Sequence, residues 1–200
     1  MQDMIHEVSF NIIIYKMPSM NFEFLQSIKD YDNTYDNFIE TGTFQGNTIK
    51  KMRSHFKNLH TIEIKREYYI NCKKKYRNSK INFHLGDSSE VLKNILPTIE
   101  GKSIIFLDGH WSAGDTGRGS KDCPLYEELE NIVSFHKEPC LIIIDDTRLF
   151  GMGPNKGNEI CNWEDINRES ILQIVNKRLK DFYFLPSELN EEDRMIVLLN

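Results

Sequence analysis

The sequence predicts one α/β domain: a mostly parallel, seven-stranded sheet flanked by helices and closed by an antiparallel hairpin. Three observations predict it. Short apolar runs rich in β-branched and aromatic residues alternate with longer segments of helical period. Several of those runs end in an acid and then a turn former, as in FLDGHW at 106–111 and LIIIDD at 141–146. The last two runs are joined only by the turn-like PSELNEED at 186–193, with no helical pattern between them.

Taken in order, the first strand is expected at 37–41. A helix follows Gly46, with Ile49, Met52 and Phe56 at three- and four-residue steps. The second strand is expected at 60–64, followed by a helix presenting Tyr69, Cys72 and Tyr76, and the third at 82–85, followed by one presenting Val91, Leu92, Ile95 and Leu96. Strands at 103–108 and 140–145 precede helices marked by Leu125, Leu129, Ile132 and Val133, and by Ile171, Ile174, Val175 and Leu179. Strands at 182–185 and 195–199 form the closing hairpin. Two Gly-rich segments, 112–124 and 151–161, fit neither period and directly follow acid-tipped strands. In open α/β sheets ligands bind beyond the carboxyl ends of the strands, so both loops are expected to overhang a site.

With 200 residues, 40% of them hydrophobic, the chain suffices for one core, and 1–200 is read as a single domain: an N-terminal cap segment at 1–36 and a core at 37–200. A net charge of -5 gives no general basic field, which argues against a long duplex nucleic-acid footprint. The basic cluster KKKYR at 73–77 reads as a solvated helix face. Four cysteines without CxxC spacing read as reduced thiols and a cytoplasmic location, with no zinc site. The first residues, MQDMIHEVSFNIIIYK, carry acids before a short apolar run and lack a small-residue cleavage site, and no apolar stretch has the length of a membrane span.

Three strand tips carry the candidate chemistry. FIETGTFQGNT, 38–48, ends a strand in Glu40 and places Gly42 and Gly46 where the backbone must turn and approach a ligand. The spacing is not G-x-G-x-x-G, which disfavours a nicotinamide-dependent oxidoreductase, and no Lys-Ser/Thr pair follows to make a nucleoside triphosphate loop. HTIEIK, 60–65, puts Glu63 at the second tip, where an acid can accept from a ribose diol. LGDSSEVL, 85–92, puts Asp87 at a strand-to-helix junction, where it also suits a helix N-cap.

The ordered set Glu40-x-Gly42-x-x-x-Gly46-x-Thr48, Glu63, Gly86-Asp87, Asp108 and Asp145-Asp146 resembles class I S-adenosylmethionine-dependent methyltransferases over nearly the whole chain. Within them it is most similar to small metal-dependent O-methyltransferases such as the catechol and macrocin enzymes. The resemblance implies a Rossmann-like methyltransferase sandwich. It also implies that Glu40, Thr41, Gly42, Gly46 and Thr48 line the methionine part of S-adenosylmethionine, that Glu63 holds the ribose, and that Asp87 and Ser88 lie against the adenine, with Asp108 at the cofactor's edge.

In the metal-dependent branch Asp108, Asp145 and Asp146 would bind Mg²⁺, which suits three carboxylates that otherwise repel. His110 is then placed to take a hydroxyl proton, with Asp108 as its companion in catalysis. Trp111, Arg118 and Arg148 are the candidate substrate contacts, with Lys121 and Asp122 beside them in the loop. The expected partner is a small-molecule or glycan hydroxyl acceptor, a sugar by similarity to macrocin O-methyltransferase. No membrane and no duplex nucleic acid are expected; a homodimer is one compatible assembly. The rival readings are a catalytically silent S-adenosylmethionine-binding scaffold and a methyltransferase acting on RNA or another small molecule.

Overall fold

The computed structural model describes residues 20–200. Of the expected cap segment, 1–19 therefore lies outside the described residues. The remainder forms α1 (Phe22–Ser27), whose Leu25 is buried together with Met20 and Ile28. The core then alternates: β1 (Asn37–Thr41), α2 (Asn47–Met52), β2 (Asn58–Glu63), α3 (Arg66–Lys75), β3 (Ile81–Leu85), α4 (Ser88–Ile95), β4 (Ser103–Leu107), α5 (Leu125–Phe135), β5 (Cys140–Ile144), α6 (Arg168–Val175), β6 (Leu179–Leu185) and β7 (Arg194–Leu199).

The seven strands form one sheet in the order β3-β2-β1-β4-β5-β7-β6. Strands β1 to β5 pair in parallel, and β7 enters antiparallel between β5 and β6. The expected fold class is observed, and the closing hairpin carries the further feature that its second strand, not its first, joins β5.

Every residue of β1, β4 and β5 is buried, which is what helices on both faces require of a parallel strand. Alternate side chains go to opposite faces. Ile39, Ile105, Leu107, Ile142 and Ile144 pack with Leu92, Leu129, Ile132, Ile171 and Val175 from α4, α5 and α6. Phe38, Ile104, Phe106, Leu141 and Ile143 pack on the other face with Leu25, Ile49, Met52 and Cys72 from α1, α2 and α3.

Two expectations shift. Helix α6 stops at Val175, and Leu179, read as its last apolar position, begins β6. The turn between them is fixed by Arg178, whose guanidinium donates to the carbonyls of Asn200 and Glu138 at 2.5 and 2.8 Å, and to that of His136. Phe56 lies beyond α2, in the approach to β2, yet remains in the core at 2% exposure, so its apolar character records burial and not helical period.

Candidate functional site

The strand order reverses between β1 and β4, and there the crevice of an open α/β sheet opens at the strand ends. The chain leaves β1 through Gly42, with φ +83°, and a Cβ there would stand 2.2 Å from the carbonyl oxygen of Asp108. Only glycine lets the two loops meet this closely. Thr41 Oγ1 reinforces the junction by accepting from the Asp108 N–H at 3.2 Å. Gly46 is also left-handed, φ +73°, and caps α2 against Cys72 and Tyr76; Thr48 is buried on that helix.

Glu40, 1% exposed, has one carboxylate oxygen, Oε2, buried without a hydrogen-bond partner. Burial pushes this carboxyl well above the ordinary carboxylate value, and the neighbouring Glu63 adds to the shift. Glu63 is raised as well, again through burial, although its oxygens accept from the amides of Phe44 at 2.7 Å and Lys65 at 2.8 Å.

Asp87 serves as the N-cap of α4, accepting from Ser89 N at 3.1 Å; its other oxygen accepts from the N–H and hydroxyl of Ser120, both at 3.2 Å. Burial acts to raise Asp87, but these donors outweigh it and hold the carboxyl low. The loop 112–124 is thereby fastened down over β2 and α4. Its Gly117 packs on Ile64 and Lys65, Asp115 pairs with Lys65, and Tyr68 donates to Asp115 at 2.7 Å.

At the tips of β4 and β5, the structure brings Asp108, His110, Asp145 and Asp146 together but gives two of the acids arginine partners. Asp145 accepts from Arg194 Nε at 2.9 Å. Asp146, left-handed at φ +59°, accepts from Arg148 and pairs with His110 Nε2 at 3.1 Å, and Arg148 reaches on to Asp193. Burial alone would raise Asp146, but His110 and Arg148 hold it below the ordinary value. Asp108, with His110 Nε2 3.8 Å away, is pushed well above it by burial and then by Asp145, Asp146 and Glu40. Asp145 is raised through burial despite Arg194.

This donor set does not fit the expected Mg²⁺ site, because guanidinium groups already occupy carboxylate oxygens of Asp145 and Asp146. Among the described residues no group of three or more His, Cys, Asp or Glu side chains is arranged to hold a metal ion.

The expected substrate contacts Trp111, Arg118 and Arg148 each have partners within the chain. Trp111 is 7% exposed in the core, with the Arg118 guanidinium 4.1 Å from its ring centroid, and so offers no free face. Arg118 forks onto Asp122 at 2.6 and 3.2 Å, and Arg148 is taken up by the two aspartates. Three contributors escaped the sequence reading. Trp163 lies edge-on to His110 at 4.6 Å, and Glu128 lines a cavity with it. A cleft of about 390 Å³ opens beside Arg148, walled by Phe150, Glu164, Asn167, Arg168 and Phe184 among others. Phe150 borders both spaces. Glu128 had a signal: it stands on the apolar stripe of Leu125, Leu129 and Ile132, three residues after the first. The cleft had none, because residues distant in sequence make it.

No protein-family model matches the sequence, and comparison with curated proteins finds no match. Solved structures do match. A S-adenosylmethionine-dependent methyltransferase from Clostridium acetobutylicum superposes with a TM-score of 0.50 at 13% identity, covering 82% of this chain and 83% of that one. The N-methyltransferase NodS from Bradyrhizobium japonicum gives 0.51 at 13% identity, covering 82% and 84%. An rRNA methylase from Streptococcus thermophilus gives 0.50 at 13% identity, covering 88% and 92%. The likeness establishes the fold, the Rossmann-like sandwich of class I S-adenosylmethionine-dependent methyltransferases.

Proposed function

We propose that this chain transfers a methyl group from S-adenosylmethionine to a hydroxyl oxygen of a sugar, on a glycan or a nucleotide-linked monosaccharide. The observation that carries the reading is the orphaned Oε2 of Glu40 beside the Gly42 turn, at the point where the strand order reverses. A buried carboxylate oxygen without a donor is costly unless a ligand supplies one. A methionine ammonium supplies a donor together with a positive charge, and the fold likeness supports the same cofactor.

The cofactor brings a methyl group already activated on a sulfonium, so the chain has to bind, orient and accept a proton. Gly42 and Thr41 hold the methionine loop on the end of β4; Glu63 offers its remaining lone pairs to the ribose hydroxyls; Ser88 and the Asp87 cap form the adenine side. His110, oriented through Nε2 by Asp146, is the base for the acceptor hydroxyl. Arg148 and Arg194 neutralise Asp146 and Asp145 and take the place of Mg²⁺ beside His110.

The 390 Å³ cleft supports a sugar as acceptor: Phe150 and Phe184 offer apolar faces, while Glu164, Asn167, Arg168 and Glu192 mix donors with acceptors and suit hydroxyls better than a second anion.

Thermal unfolding with S-adenosylhomocysteine or NAD is the direct test. A ligand at about 100 times its Kd adds roughly 2.7 kcal/mol, which for a chain of this size raises the midpoint by about 2–4 °C per kcal/mol. The expected result is a rise with S-adenosylhomocysteine alone. A rise with NAD alone would overturn the reading. A rise with S-adenosylhomocysteine but no turnover on a panel of methyl glycosides would move it to the silent scaffold or to another acceptor.

A further inference from the structure

Glu128 has no place in the roles just described, yet its surroundings are those of a working group. Its position on the apolar stripe of α5 carries it into the core, where it is 2% exposed. The hydroxyls of Thr41, at the end of β1, and Ser88, at the start of α4, favour the charged form of its carboxyl. Its Oε1 is buried with no partner and lies 3.0 Å from where a Cβ on Gly109 would stand, directly against the turn that carries His110. Glu128, Gly109 and His110 share with Asp145, Phe150 and Trp163 a cavity of about 10 Å³, the room needed by one water molecule. Such a water requires two or more polar partners, and Oε1 is an acceptor without a donor.

We propose that Glu128 is a proton-relay residue of this centre: a water seated in the cavity passes to its carboxylate the proton that His110 takes from the acceptor. The inference rests on the methyl-transfer reading. In one turnover the acceptor oxygen's lone pair forms the new bond to the methyl carbon, and the carbon–sulfur pair stays on sulfur. The hydroxyl proton goes to Nδ1 of the imidazole, whose Nε2 is held by Asp146; once the methylated product has left, the same nitrogen gives it to the water, the water gives it to Glu128, and Glu128 releases it to solvent.

The groups facing Glu128 are His110 and Asp145 across the cavity, Cys123 at the foot of α5, and Asp87 on α4. Burial, the main cause, pushes the carboxyl up to about 7; the two hydroxyls and His110 oppose the shift and Asp87 adds to it. A group with that value both takes up and releases a proton near neutrality.

The test follows the side-chain carboxyl of Glu128 by carbon NMR on glutamate-labelled protein from pH 5 to 9, assigned through Glu128→Gln, with S-adenosylhomocysteine affinity measured in parallel. We expect one carboxyl titrating between pH 6 and 8, and a midpoint raised by half a unit or more in His110→Ala, a response that a merely packed side chain lacks. In Glu128→Gln, which keeps the shape of the protonated form, S-adenosylhomocysteine affinity should stay within threefold of wild type. A Glu128 that does not titrate in this range, or that ignores the loss of His110, overturns the relay while cofactor binding stands. Failure of S-adenosylhomocysteine to bind at all overturns the transferase reading and the relay with it.

Discussion

Gly42 rests on the backbone of Asp108: a Cβ on the glycine would meet the aspartate's carbonyl oxygen at 2.2 Å and its carbonyl carbon at 2.9 Å. The end of β1 and the end of β4 are therefore one joint, and whatever binds in the crevice touches both sides of it. Gly42→Ala brings a left-handed backbone penalty of about 1 kcal/mol and a clash with main chain that no side-chain rotation relieves. A loss of about 3 kcal/mol, in the range of serious core defects, is expected, together with loss of S-adenosylhomocysteine binding. Urea unfolding and calorimetry check both; an alanine variant with wild-type stability would show that the joint is looser than this contact.

The alternation of apolar runs and helical stripes made the sheet and most of its helices legible, because burial on both faces leaves β1, β4 and β5 almost no choice of residue. Glu40, Gly42, Glu63 and Asp87 were legible as acids and glycines at strand ends. What those acids touch was not. Asp145 and Asp146 look in sequence like bare carboxylates awaiting a cation, but the cations come from Arg194, 49 residues beyond the first, and from Arg148. Trp111 illustrates the same limit: the sequence leaves it either on the substrate or packed beneath the loop, and the structure buries it in the core. Local pattern records which face a residue presents, whereas pairing across the sheet depends on the closed chain.

Arg148 bridges Asp146 and Asp193, whose side chains are 4% and 2% exposed. Truncating one member of a buried pair strands the others, at a cost of about 3–5 kcal/mol. Arg148→Ala should therefore melt lower by roughly 10 °C at about 2–4 °C per kcal/mol, with part of the loss recovered in Arg148→Ala/Asp193→Asn. With the arginines in place, Mg²⁺ should leave the wild-type midpoint unchanged. A Mg²⁺-dependent rise that disappears in Asp145→Ala would show that the arginines yield to the metal.

Burial of Glu40 favours its protonated form in the apo protein, and ionising it there costs stability. Because its folded value is raised, the folded state retains a proton that the unfolded chain releases, so stability falls as pH climbs above the ordinary glutamate value. Glu40→Gln removes that penalty. It should raise the apo midpoint at pH 8 and weaken S-adenosylhomocysteine binding by tenfold or more, the opposition of stability and function usual at binding sites. A variant that binds as wild type does would remove Glu40 from the cofactor's reach.

The same sign applies to Glu128, for which the window is set by its ordinary value of 4.5 and its folded value of about 7. The rise corresponds to about 3 kcal/mol at about 1.36 kcal/mol per unit, fully present below pH 4.5 and lost as pH climbs to 7. Unfolding free energies measured at pH 5, 6, 7 and 8 should decline more steeply in wild type than in Glu128→Gln. Parallel curves would contradict the assignment.

The loop at 112–124 covers the place where the adenosine half of the cofactor is expected, with Gly117 on Ile64 and Lys65 and Ser120 on Asp87. Two ties of different strength hold it. The Asp87 tie shares its carboxylate with the part-buried α4 cap, so breaking it damages the helix start as well. The Asp115 tie to Lys65 and Tyr68 ends in a carboxylate whose side chain is 81% exposed, where salt screens the attraction. Opening for the cofactor should therefore begin at Asp115. Asp115→Asn is expected to leave the melting midpoint unchanged and to speed S-adenosylhomocysteine association several-fold in stopped-flow mixing, with 0.5 M salt producing the same gain in wild type and none in the variant. Equal rates in both proteins at low salt would mean that the loop opens elsewhere, with the Asp87 tie as the step that limits entry.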